Sequence, residues 1–565
     1  MNRNRDQPGL IPGIQWLRHY SKSWLQPDLM AGLTTAAVVI PNAMAYAAIA
    51  GLPLQVGLYT VLVPMVVYAL FGTSRPLSVS TTTTIAILAA AALGAAVPGG
   101  GAAELAAAGA TLALLVGVML VLASVLRFGF LANFISYPVL IGFQSGIGLV
   151  IVVDQLPKLL GTHIEKTGFL RDILAIIGQL PQTSSATLLL GLGVFIVLFG
   201  LQRFVPRAPA PLLALAVAIA ASSLFDLQGA GVATVGAVPQ ALPVFVWPQL
   251  DLVAAMWPGA AGIALMSFTG SIAAARTYRD PRDPRPAPNQ ELLAVGLANV
   301  AGGFFGAMPA GGSTVPTAIN RRAGARTQMA GLVTAAAALA TLLLLAPVIA
   351  LMPQAALAAL VMVNTLSLIR PAEFREILRV RRIEFHWAVV AFIGVMLLGT
   401  LQGILVAVIV SLLALAHQVY NPPVYALGRK RGTDVFRALT AEHPDDETWP
   451  GLLLLRTEGR VFFANAQRFG DGMWPLIEQA KPSVVVIDCS AIIDIEYTAL
   501  RMLTEAEEHL RAGGITLWLT ALNPAVLEVV RNSRLGEILG EQRMFFNLQT
   551  AVARYQQTRI SNEAT

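Results

Sequence analysis

Long runs of apolar residues recur along this chain of 565 residues and restrict its fold more than any motif does. A membrane-spanning helix needs about 20 apolar residues, and runs of that kind follow one another from residue 28 to residue 420. The sequence therefore predicts a polytopic α-helical membrane protein with fourteen spans, seven in each half of this region. The predicted spans are 28–49, 54–71, 80–93, 102–126, 130–153, 185–204, 209–225, 252–275, 290–306, 313–322, 327–346, 353–369, 385–400 and 403–420.

The composition fits such a fold and argues against a water-soluble enzyme. Hydrophobic residues make up 56% of the chain and charged residues only 12%, whereas soluble domains carry about 25% charged residues. Residues 1–420 contain 14 acidic and 23 basic residues, while 421–565 reads as a soluble sequence. Because the basic residues lie in short loops, we expect the net charge of +6 to orient the chain in a membrane and not to bind nucleic acid.

The basic residues also predict which side each loop lies on, because cytoplasmic loops are enriched in Lys and Arg. With the N-terminus inside, only Lys158, Lys166 and Arg171 lie outside. The soluble region then follows in the cytoplasm, which agrees with its single cysteine, Cys489. The other twenty basic residues up to position 420 lie inside, namely Arg3, Arg5, Arg18, Lys22, Arg75, Arg127, Arg203, Arg207, Arg276, Arg279, Arg282, Arg285, Arg321, Arg322, Arg326, Arg370, Arg375, Arg379, Arg381 and Arg382.

The N-terminal segment 1–27 is polar and contains no apolar core of a cleaved signal peptide. We therefore expect it to be cytoplasmic. The whole chain is predicted to be a multi-pass protein of the plasma membrane, in bacteria the inner membrane, with both termini in the cytoplasm.

Two consecutive sets of seven spans must cross the membrane in opposite directions, because seven is odd. This arrangement is typical of an inverted repeat, here about 28–225 and 252–420. The two shortest spans, 80–93 and 313–322, are each the third of their half. A pair of short or interrupted spans at matching positions indicates the transport site.

Hydroxyl side chains replace apolar ones where these two short spans enter the membrane, in Gly72–Thr84 and Pro309–Thr317. Glycine permits an extended approach, and Ser or Thr can cap a helix that begins inside the bilayer. Two such helix N-termini facing each other would bind an anion without a fixed cation, and no Lys or Arg lies centrally in a predicted span. The alternative is that the hydroxyls only pack helices or bond to carbonyls. The candidate ligands are Ser80, Thr81, Thr82, Ser313 and Thr314.

The first and eighth spans supply three further candidates. Proline at position 41 predicts a break in the first span, where Asn42 and Tyr46 could line a cavity. A structural kink with a packed aromatic ring is the alternative. In the eighth span, Met266–Ser271 is small and polar and includes Thr269, although small residues also occur at plain helix contacts.

No Asp, Glu or His lies in the middle of a predicted span, since Asp154, Glu291 and Glu384 all fall near ends. A carrier coupled to protons or sodium usually needs a carboxylate inside the membrane. The sequence therefore weakens any prediction of symport. Asp154 is the remaining candidate for coupling, and a role at the end of a helix is the simpler interpretation.

The region after residue 420 predicts a linker, 421–450, an α/β domain, 451–556, and a short tail, 557–565. It contains no phosphate-binding loop, HExxH motif or nucleophile elbow, so we expect neither enzymatic activity nor a cofactor or metal. Thr498 falls at a strand-to-helix turn, where it could be an N-cap or a phosphorylatable switch residue. The predicted elements are a first strand pair at 452–456 and 461–463, helix 465–480, strand 483–488, helix 498–512, strand 515–519 and helices near 523–531 and 547–556.

Taken together, these features resemble the SulP (sulfate permease) family of anion transporters with a C-terminal STAS domain. The resemblance covers about 28–555. No single motif is specific for the family, but their combination is. It rests on the motifs Pro41–Ala47, Gly72–Thr84, Glu291–Phe305, Gly311–Asn320 and, in the tail, Asp488–Leu500.

The resemblance implies a seven-plus-seven inverted repeat with core and gate subdomains, usually in a dimer. It implies an anion site between the third and tenth spans, closed by the first and eighth, and an elevator-like movement of the core against the gate. The STAS domain would serve regulation and interaction with cytoplasmic partners. Matching positions are Ser80, Thr81, Ser313 and Thr314 for the half-helix starts, Asn42 and Tyr46 for the first-span lining, and Thr498 for the phosphoacceptor of STAS relatives.

The sequence departs from the family pattern in the eighth span, where many bacterial members read Glu-Ser and this chain reads Gly270-Ser271. The first span also lacks a glutamate. Both departures favour exchange or electrodiffusive transport over symport with protons or sodium.

The leading hypothesis is a secondary transporter of small inorganic anions, with sulfate, a related oxyanion or bicarbonate as substrate. The alternatives are a membrane-anchored STAS signalling scaffold and a channel-like anion conductor on the same fold. Polar, broken spans favour transport over the scaffold, because a mere anchor has no use for them. Saturation by substrate and stimulation by a counter-anion would separate a carrier from a channel.

Overall fold

The computed structural model describes residues 12–563 except 134–135, 165–167, 206–207, 237, 282 and 284. It forms two compact units, Met1–Leu412 and Leu413–Thr565. Five of the basic residues used to orient the chain lie outside the described residues: Arg3, Arg5, Lys166, Arg207 and Arg282.

Helices lie at all fourteen predicted spans, with shorter helices before and between them. The spans predicted at 54–71 and 185–204 have the observed bounds. Seven helical stretches of the described chain are long and apolar enough to cross a membrane by length and composition alone. In chain order the helices are α1 (Pro12–Arg18), α2 (Lys22–Ile49), α3 (Leu54–Phe71), α4 (Thr83–Ala96), α5 (Ala102–Val125), α6 (Tyr137–Leu160), α7 (Phe169–Gln179), α8 (Ser185–Phe204), α9 (Ala210–Leu224), α10 (Val253–Thr277), α11 (Pro288–Phe304), α12 (Thr314–Arg322), α13 (Met329–Leu344), α14 (Ala346–Ala350), α15 (Gln354–Leu366), α16 (Pro371–Val380), α17 (Arg382–Leu398) and α18 (Thr400–Tyr420).

The break predicted in the first span is wrong, because α2 continues through Pro41. Proline removes one helical hydrogen bond and crowds the carbonyl one turn back. In a membrane bundle, neighbouring helices can stabilise a helix that loses this bond. Pro41 is buried here among the helices that surround α2.

The helices of the first unit pack in two groups. A core group contains α2–α5 with α10–α13, and a gate group contains α6, α8 and α9 with α15 and α17. Glycines permit the closest approaches within each group. A side chain at Gly117 of α5 would meet the backbone nitrogen of Val300 in α11 at 2.5 Å, and one at Gly142 of α6 would meet the carbonyl oxygen of Ala388 in α17 at 2.0 Å.

The two halves of the membrane unit meet at a pair of two-residue strands, β1 (Val79–Ser80) and β2 (Gly311–Gly312). The strands are antiparallel, with Val79 opposite Gly312 and Ser80 opposite Gly311. Helices α4 and α12 begin directly after them. Matching segments that run in opposite directions agree with an inverted repeat.

The second unit is an α/β domain built on a six-stranded sheet beside a separate parallel pair of strands. Its elements are β3 (Val424–Arg429), β4 (Phe436–Ala438), β5 (Leu452–Thr457), β6 (Gly459–Val461), α19 (Ala466–Ala480), β7 (Val484–Asp488), β8 (Ile492–Ile495), α20 (Tyr497–Ala512), β9 (Thr516–Thr520), α21 (Pro524–Arg531), α22 (Arg534–Leu539), β10 (Met544–Phe545) and α23 (Leu548–Glu563). The sheet has the strand order β10-β9-β7-β5-β3-β4, and the separate pair is β6-β8. Apolar core lies on both faces of the sheet: α19, α20, α21 and α22 cover one face and α23 the other.

Three expectations for this unit are wrong. The segment 421–450, predicted to be a linker, contains β3 and β4, which extend the sheet beyond β5. The predicted first strand pair does not form, because β5 pairs with β3 and β7 while β6 pairs with β8. The last helix also continues to residue 563, through most of the predicted tail.

Candidate functional site

A cavity of about 640 Å³ lies where the core and gate groups of the membrane unit meet. We call it the central cavity. All eight residues predicted to contact a substrate line it, although they come from α2, α10 and the two segments around β1 and β2. They are Asn42, Tyr46, Ser80, Thr81, Thr82, Thr269, Ser313 and Thr314.

The first half-helix, α4, begins at Thr83, three residues later than predicted. Thr82 is its N-cap, and the Thr82 hydroxyl accepts a hydrogen bond from the backbone N–H of Ile85 at 3.3 Å. Ser80 lies in β1, and its hydroxyl donates to the carbonyl oxygen of Thr81 at 3.4 Å. The hydroxyl of Thr81 is buried without a hydrogen-bond partner in the described part of the chain, so it is available to a ligand.

The second half-helix, α12, begins at Thr314 with Ser313 in the N-cap position. The Ser313 side chain makes no capping hydrogen bond, and its backbone N–H donates to Ser78 at 3.0 Å. The N–H groups of a first helical turn have no acceptor within their own helix. Those of Thr314 and Val315 therefore present the partial positive charge of the helix end at the cavity.

The extended segment that leads to α4 is held by side chains from the second half of the chain. The Gln328 amide donates to the carbonyl oxygens of Ser74, Arg75 and Leu77, at 2.7, 3.1 and 2.9 Å. The Asn320 amide donates to Pro76 at 3.0 Å. Non-helical backbone at membrane depth needs such internal partners, so these bonds keep the segment in place.

The segment that leads to α12 is held by α10 and α11. The Asn299 amide both donates to and accepts from the backbone of Ala310, at 2.9 and 2.8 Å, and the Ser267 hydroxyl donates to the same carbonyl at 2.7 Å. The Gly312 N–H donates to the Ser271 hydroxyl at 2.7 Å. A Cβ at Gly312 would lie 2.7 Å from Cα of Ser271, so this contact requires glycine.

The gate group completes the wall with polar residues that sequence reasoning missed. The Asn364 amide of α15 donates to Oδ1 of Asn42 in α2 at 2.9 Å, a hydrogen bond that crosses from gate to core. Gln144 of α6, Gln202 of α8 and Arg370 also line the cavity. In the sequence, each of the three amides Asn364, Gln144 and Gln202 is a polar side chain within an apolar span. No motif marks any of them as part of a site.

The cavity is electropositive by its composition. Among the described residues that line it, Arg370 is charged and none is Asp, Glu or His. Thr269, like Thr81, has a buried hydroxyl with no hydrogen-bond partner in the described chain. Donors from two helix ends, free hydroxyls and one guanidinium suit a small anion better than a cation.

Loops with basic residues gather on one side of the membrane unit. Arg75, after α3, pairs with Asp283 at 3.1 Å, and Arg321, at the end of α12, pairs with Asp280. We call this the arginine-rich side. Tyr278, at the end of α10, and Arg370 both line the central cavity, which therefore extends toward this side.

Two of the buried acidic side chains of the membrane unit, Glu291 and Asp28, lie away from the cavity. The Glu291 carboxylate, near the start of α11 as predicted, accepts hydrogen bonds from the Tyr68 hydroxyl at 2.7 Å and the Thr73 N–H at 2.9 Å. The Asp28 carboxylate accepts from the N–H groups of Arg326 and Thr327 at 2.6 and 3.1 Å. Asp28 was not anticipated as a buried acid. Neither lines the cavity, and neither does Asp154.

In the second unit, Thr498 is exposed at the second residue of α20. Glu496 holds the N-cap position, so the expectation that Thr498 is an N-cap is wrong. The nearby charges are paired, since the Arg460 guanidinium lies 2.7 Å from Asp494 and 3.1 Å from Glu496. Burial, with the charge of Asp488, raises the pKa of the Cys489 thiol to about 12, so this thiol stays neutral at physiological pH.

A membrane unit in which two half-helix ends from matching repeats face one cavity is the architecture of a class of membrane transporters. The chain belongs to the Sulfate permease family, whose model matches residues 25–391, and the model of the STAS domain matches 443–551. The predicted family and fold class are thereby confirmed.

Relatives and solved structures agree with this assignment. A probable sulfate transporter of Mycobacterium tuberculosis is 34% identical over 96% of this chain and 98% of its own length. Sulfate transporter 4.1, chloroplastic, of Arabidopsis thaliana is 30% identical over 96% of this chain and 82% of its own.

Two solved structures have a similar fold. Murine Solute Carrier 26 family member A9, an anion transporter in the inward-facing state, has a TM-score of 0.88 at 22% identity and covers 98% of this chain and 96% of its own. The transmembrane domain of a cyanobacterium bicarbonate transporter, BicA, has a TM-score of 0.60 at 26% identity, over 69% of this chain and 98% of its own.

Proposed function

We propose that this protein is a secondary transporter of small inorganic anions, with sulfate, a related oxyanion or bicarbonate as substrate. The observation that carries the proposal is the central cavity, where two half-helix ends meet beside the unpartnered hydroxyls of Thr81 and Thr269. Relatives named as sulfate transporters and a similar structure named as a bicarbonate transporter support the substrate class.

The anion would be held between the N-termini of α4 and α12. Backbone N–H groups at Thr314 and Val315 would donate to it from one side, and the hydroxyls of Ser80 and Thr81 from the other. The side chains of Asn42, Tyr46 and Thr269 would surround the anion on its remaining sides. Dipoles and hydroxyls bind an anion more weakly than a buried Arg or Lys would, which lets it leave again.

Transport would be an elevator-type movement of the core group against the gate group. The segments before α4 and α12 are bonded to α10–α13, so the site would move with the core as one piece. The hydrogen bond from Asn364 to Asn42 crosses the boundary between the groups. It would have to break and reform in each cycle.

The absence of an acidic residue from the described cavity lining favours exchange or uniport over symport. We place the arginine-rich side in the cytoplasm of a plasma membrane, in bacteria the inner membrane, because basic loops remain inside. The family resemblance also implies a homodimer. Light scattering in detergent would test the dimer.

The decisive experiment is uptake of labelled sulfate and labelled bicarbonate into proteoliposomes, with and without internal anion and with imposed pH gradients. We expect saturable uptake that internal anion stimulates and a proton gradient does not. Proton-driven uptake would mean that a coupling group has been missed, with Asp154 the first to test. Non-saturating flux would indicate a channel-like conductor, and no flux of either anion would favour the scaffold.

The STAS unit would regulate the transporter and bind cytoplasmic proteins, with the exposed Thr498 as a phosphoacceptor. Deleting 424–565 should change uptake rate or abundance but leave the ratio of sulfate to bicarbonate uptake unchanged. Deleting only 451–565 should lower abundance further, because β3 then loses its partner β5. A changed substrate ratio in the first variant would show that the STAS unit contributes to selectivity.

A further inference from the structure

Arg370 is the one charged side chain among the described residues that line the central cavity. It directly precedes α16, which packs against α6 and α17 of the gate group. The half-helix ends of α4 and α12 belong to the core group. The cavity therefore receives its fixed charge from the gate group and its backbone donors from the core group.

The Arg370 guanidinium has no acidic partner in the described part of the chain. Its one hydrogen bond there runs from Nε to the carbonyl oxygen of Ser367, at 3.4 Å. Arg75 and Arg321, also on the arginine-rich side, are instead paired with Asp283 and Asp280. An arginine side chain keeps its positive charge in proteins. Arg370 thus leaves an uncompensated positive charge at the cavity.

The charge of the anion decides whether the cavity needs Arg370. A helix N-terminus is equivalent to about half a positive charge, so α4 and α12 together supply about one. This amount balances a monovalent anion such as bicarbonate. A divalent anion such as sulfate would keep about one negative charge without compensation, inside a membrane protein where such a charge is costly. Arg370 is the further positive charge that the described lining offers.

We propose that Arg370 sets the preference of the central cavity for divalent over monovalent anions. The inference rests on the proposed transport function and names the residue that selects among its substrates. A fixed charge attracts a dianion twice as strongly as a monoanion at the same place. Removing the charge should therefore weaken sulfate binding by the square of the factor by which it weakens bicarbonate binding, whatever the distance between Arg370 and the anion.

The test is the variant Arg370→Gln in proteoliposomes of one orientation. The KM values for labelled sulfate and labelled bicarbonate are measured near neutral pH from the arginine-rich side, toward which the cavity extends. We expect the KM for bicarbonate to rise about threefold, as for the loss of a unit charge about 6 Å away in water. The KM for sulfate should rise about ninefold. Equal rises for the two anions, or no rise, would overturn the proposal.

Two further variants separate charge from structure. Arg370→Lys keeps the charge and should keep the sulfate preference of wild type. Arg375→Gln removes an exposed guanidinium of α16 that does not line the cavity, and it should leave both KM values unchanged. Arg370 makes no capping hydrogen bond to α16, so we expect all three variants to fold. If Arg370→Lys behaved like Arg370→Gln, or if Arg375→Gln did so, the proposal would be wrong.

A binding measurement distinguishes this proposal from the proposed transport function. Equilibrium dialysis of the detergent-solubilised protein with labelled sulfate, competed by unlabelled bicarbonate, gives both dissociation constants without transport. Ninefold and threefold losses in Arg370→Gln, with no uptake by wild type, would refute transport but support the role of Arg370. Uptake with the same sulfate-to-bicarbonate preference in wild type and variant would refute that role and leave transport standing.

Discussion

The two half-helix starts have the same backbone arrangement but are built from different sequences. Helix α4 is 14 residues long and apolar after its first turn, whereas α12 has nine residues and ends in Arg321 and Arg322. Thr82 caps α4 with its own side chain, while Ser313 leaves the start of α12 uncapped. The N-terminus of α4 is thus capped by a side chain of the protein. At the N-terminus of α12, the backbone N–H groups of the first turn remain available to a ligand.

The anchoring of the two starts differs as well. The segment before α4 belongs to the first half but takes its hydrogen bonds from Thr317, Asn320 and Gln328 of the second half. The segment before α12 takes most of its bonds from its own half, through Ser271 and Asn299. The second half therefore positions both ends of the site, and changes there should have the larger effects.

Ser313→Leu should have the largest effect. A leucine would place four carbons in the central cavity at the uncapped start of α12, where an anion would lie. We expect uptake to fall to background while the protein remains folded and keeps its oligomeric state, measured by labelled sulfate uptake and size-exclusion chromatography. Unchanged uptake would remove Ser313 from the site.

Gly312→Ala should have the next largest effect and has a matched control in Gly270→Ala. A Cβ at Gly312 would lie 2.7 Å from Cα of Ser271, whereas one at Gly270 has the Gly312 carbonyl oxygen at 3.4 Å as its nearest neighbour. We expect Gly312→Ala to destabilise the protein by about 1–3 kcal/mol through overpacking and to lower uptake strongly. Gly270→Ala should behave nearly as wild type. Equal effects in thermal unfolding and uptake would show that the close contact is not required.

Thr82→Ala and Ser313→Ala should have smaller effects of different kinds. Thr82→Ala removes a capping hydrogen bond and should cost about 1 kcal/mol of stability, seen as a lower thermal midpoint in detergent. Ser313→Ala removes no capping bond, so the midpoint should stay the same while the KM for anion rises a few-fold. If both variants changed the midpoint alike, the proposed difference between the two starts would be wrong.

The membrane spans could be predicted from sequence because burial in lipid demands long apolar runs. The bounds of α3 and α8 follow from these runs alone. The half-helix starts were predicted from hydroxyl-rich segments, yet the first residue of α4 was misplaced because any of the five consecutive hydroxyl residues at 80–84 can serve as a cap.

Other features could not be predicted because they depend on contacts distant in the chain. Asn364 is a polar residue in the apolar helix α15, and only packing decides whether it faces a cavity or a neighbour. Strand β3 follows two prolines and precedes a charged turn, so its sequence reads as a linker. Its place in the sheet comes from pairing with β5, about 30 residues later.

The bonds from Gln328 to the backbone at Ser74, Arg75 and Leu77 bear on how the protein is made. Donor and acceptors are 251 to 254 residues apart. At about 5–20 residues per second, the ribosome needs roughly 12–50 seconds to add that much chain. During this interval the polar backbone before α4 has no Gln328 to bond with. A chain that stops before Gln328 would leave these three carbonyl groups without that donor, so we expect it to be less stable in the membrane than the full chain.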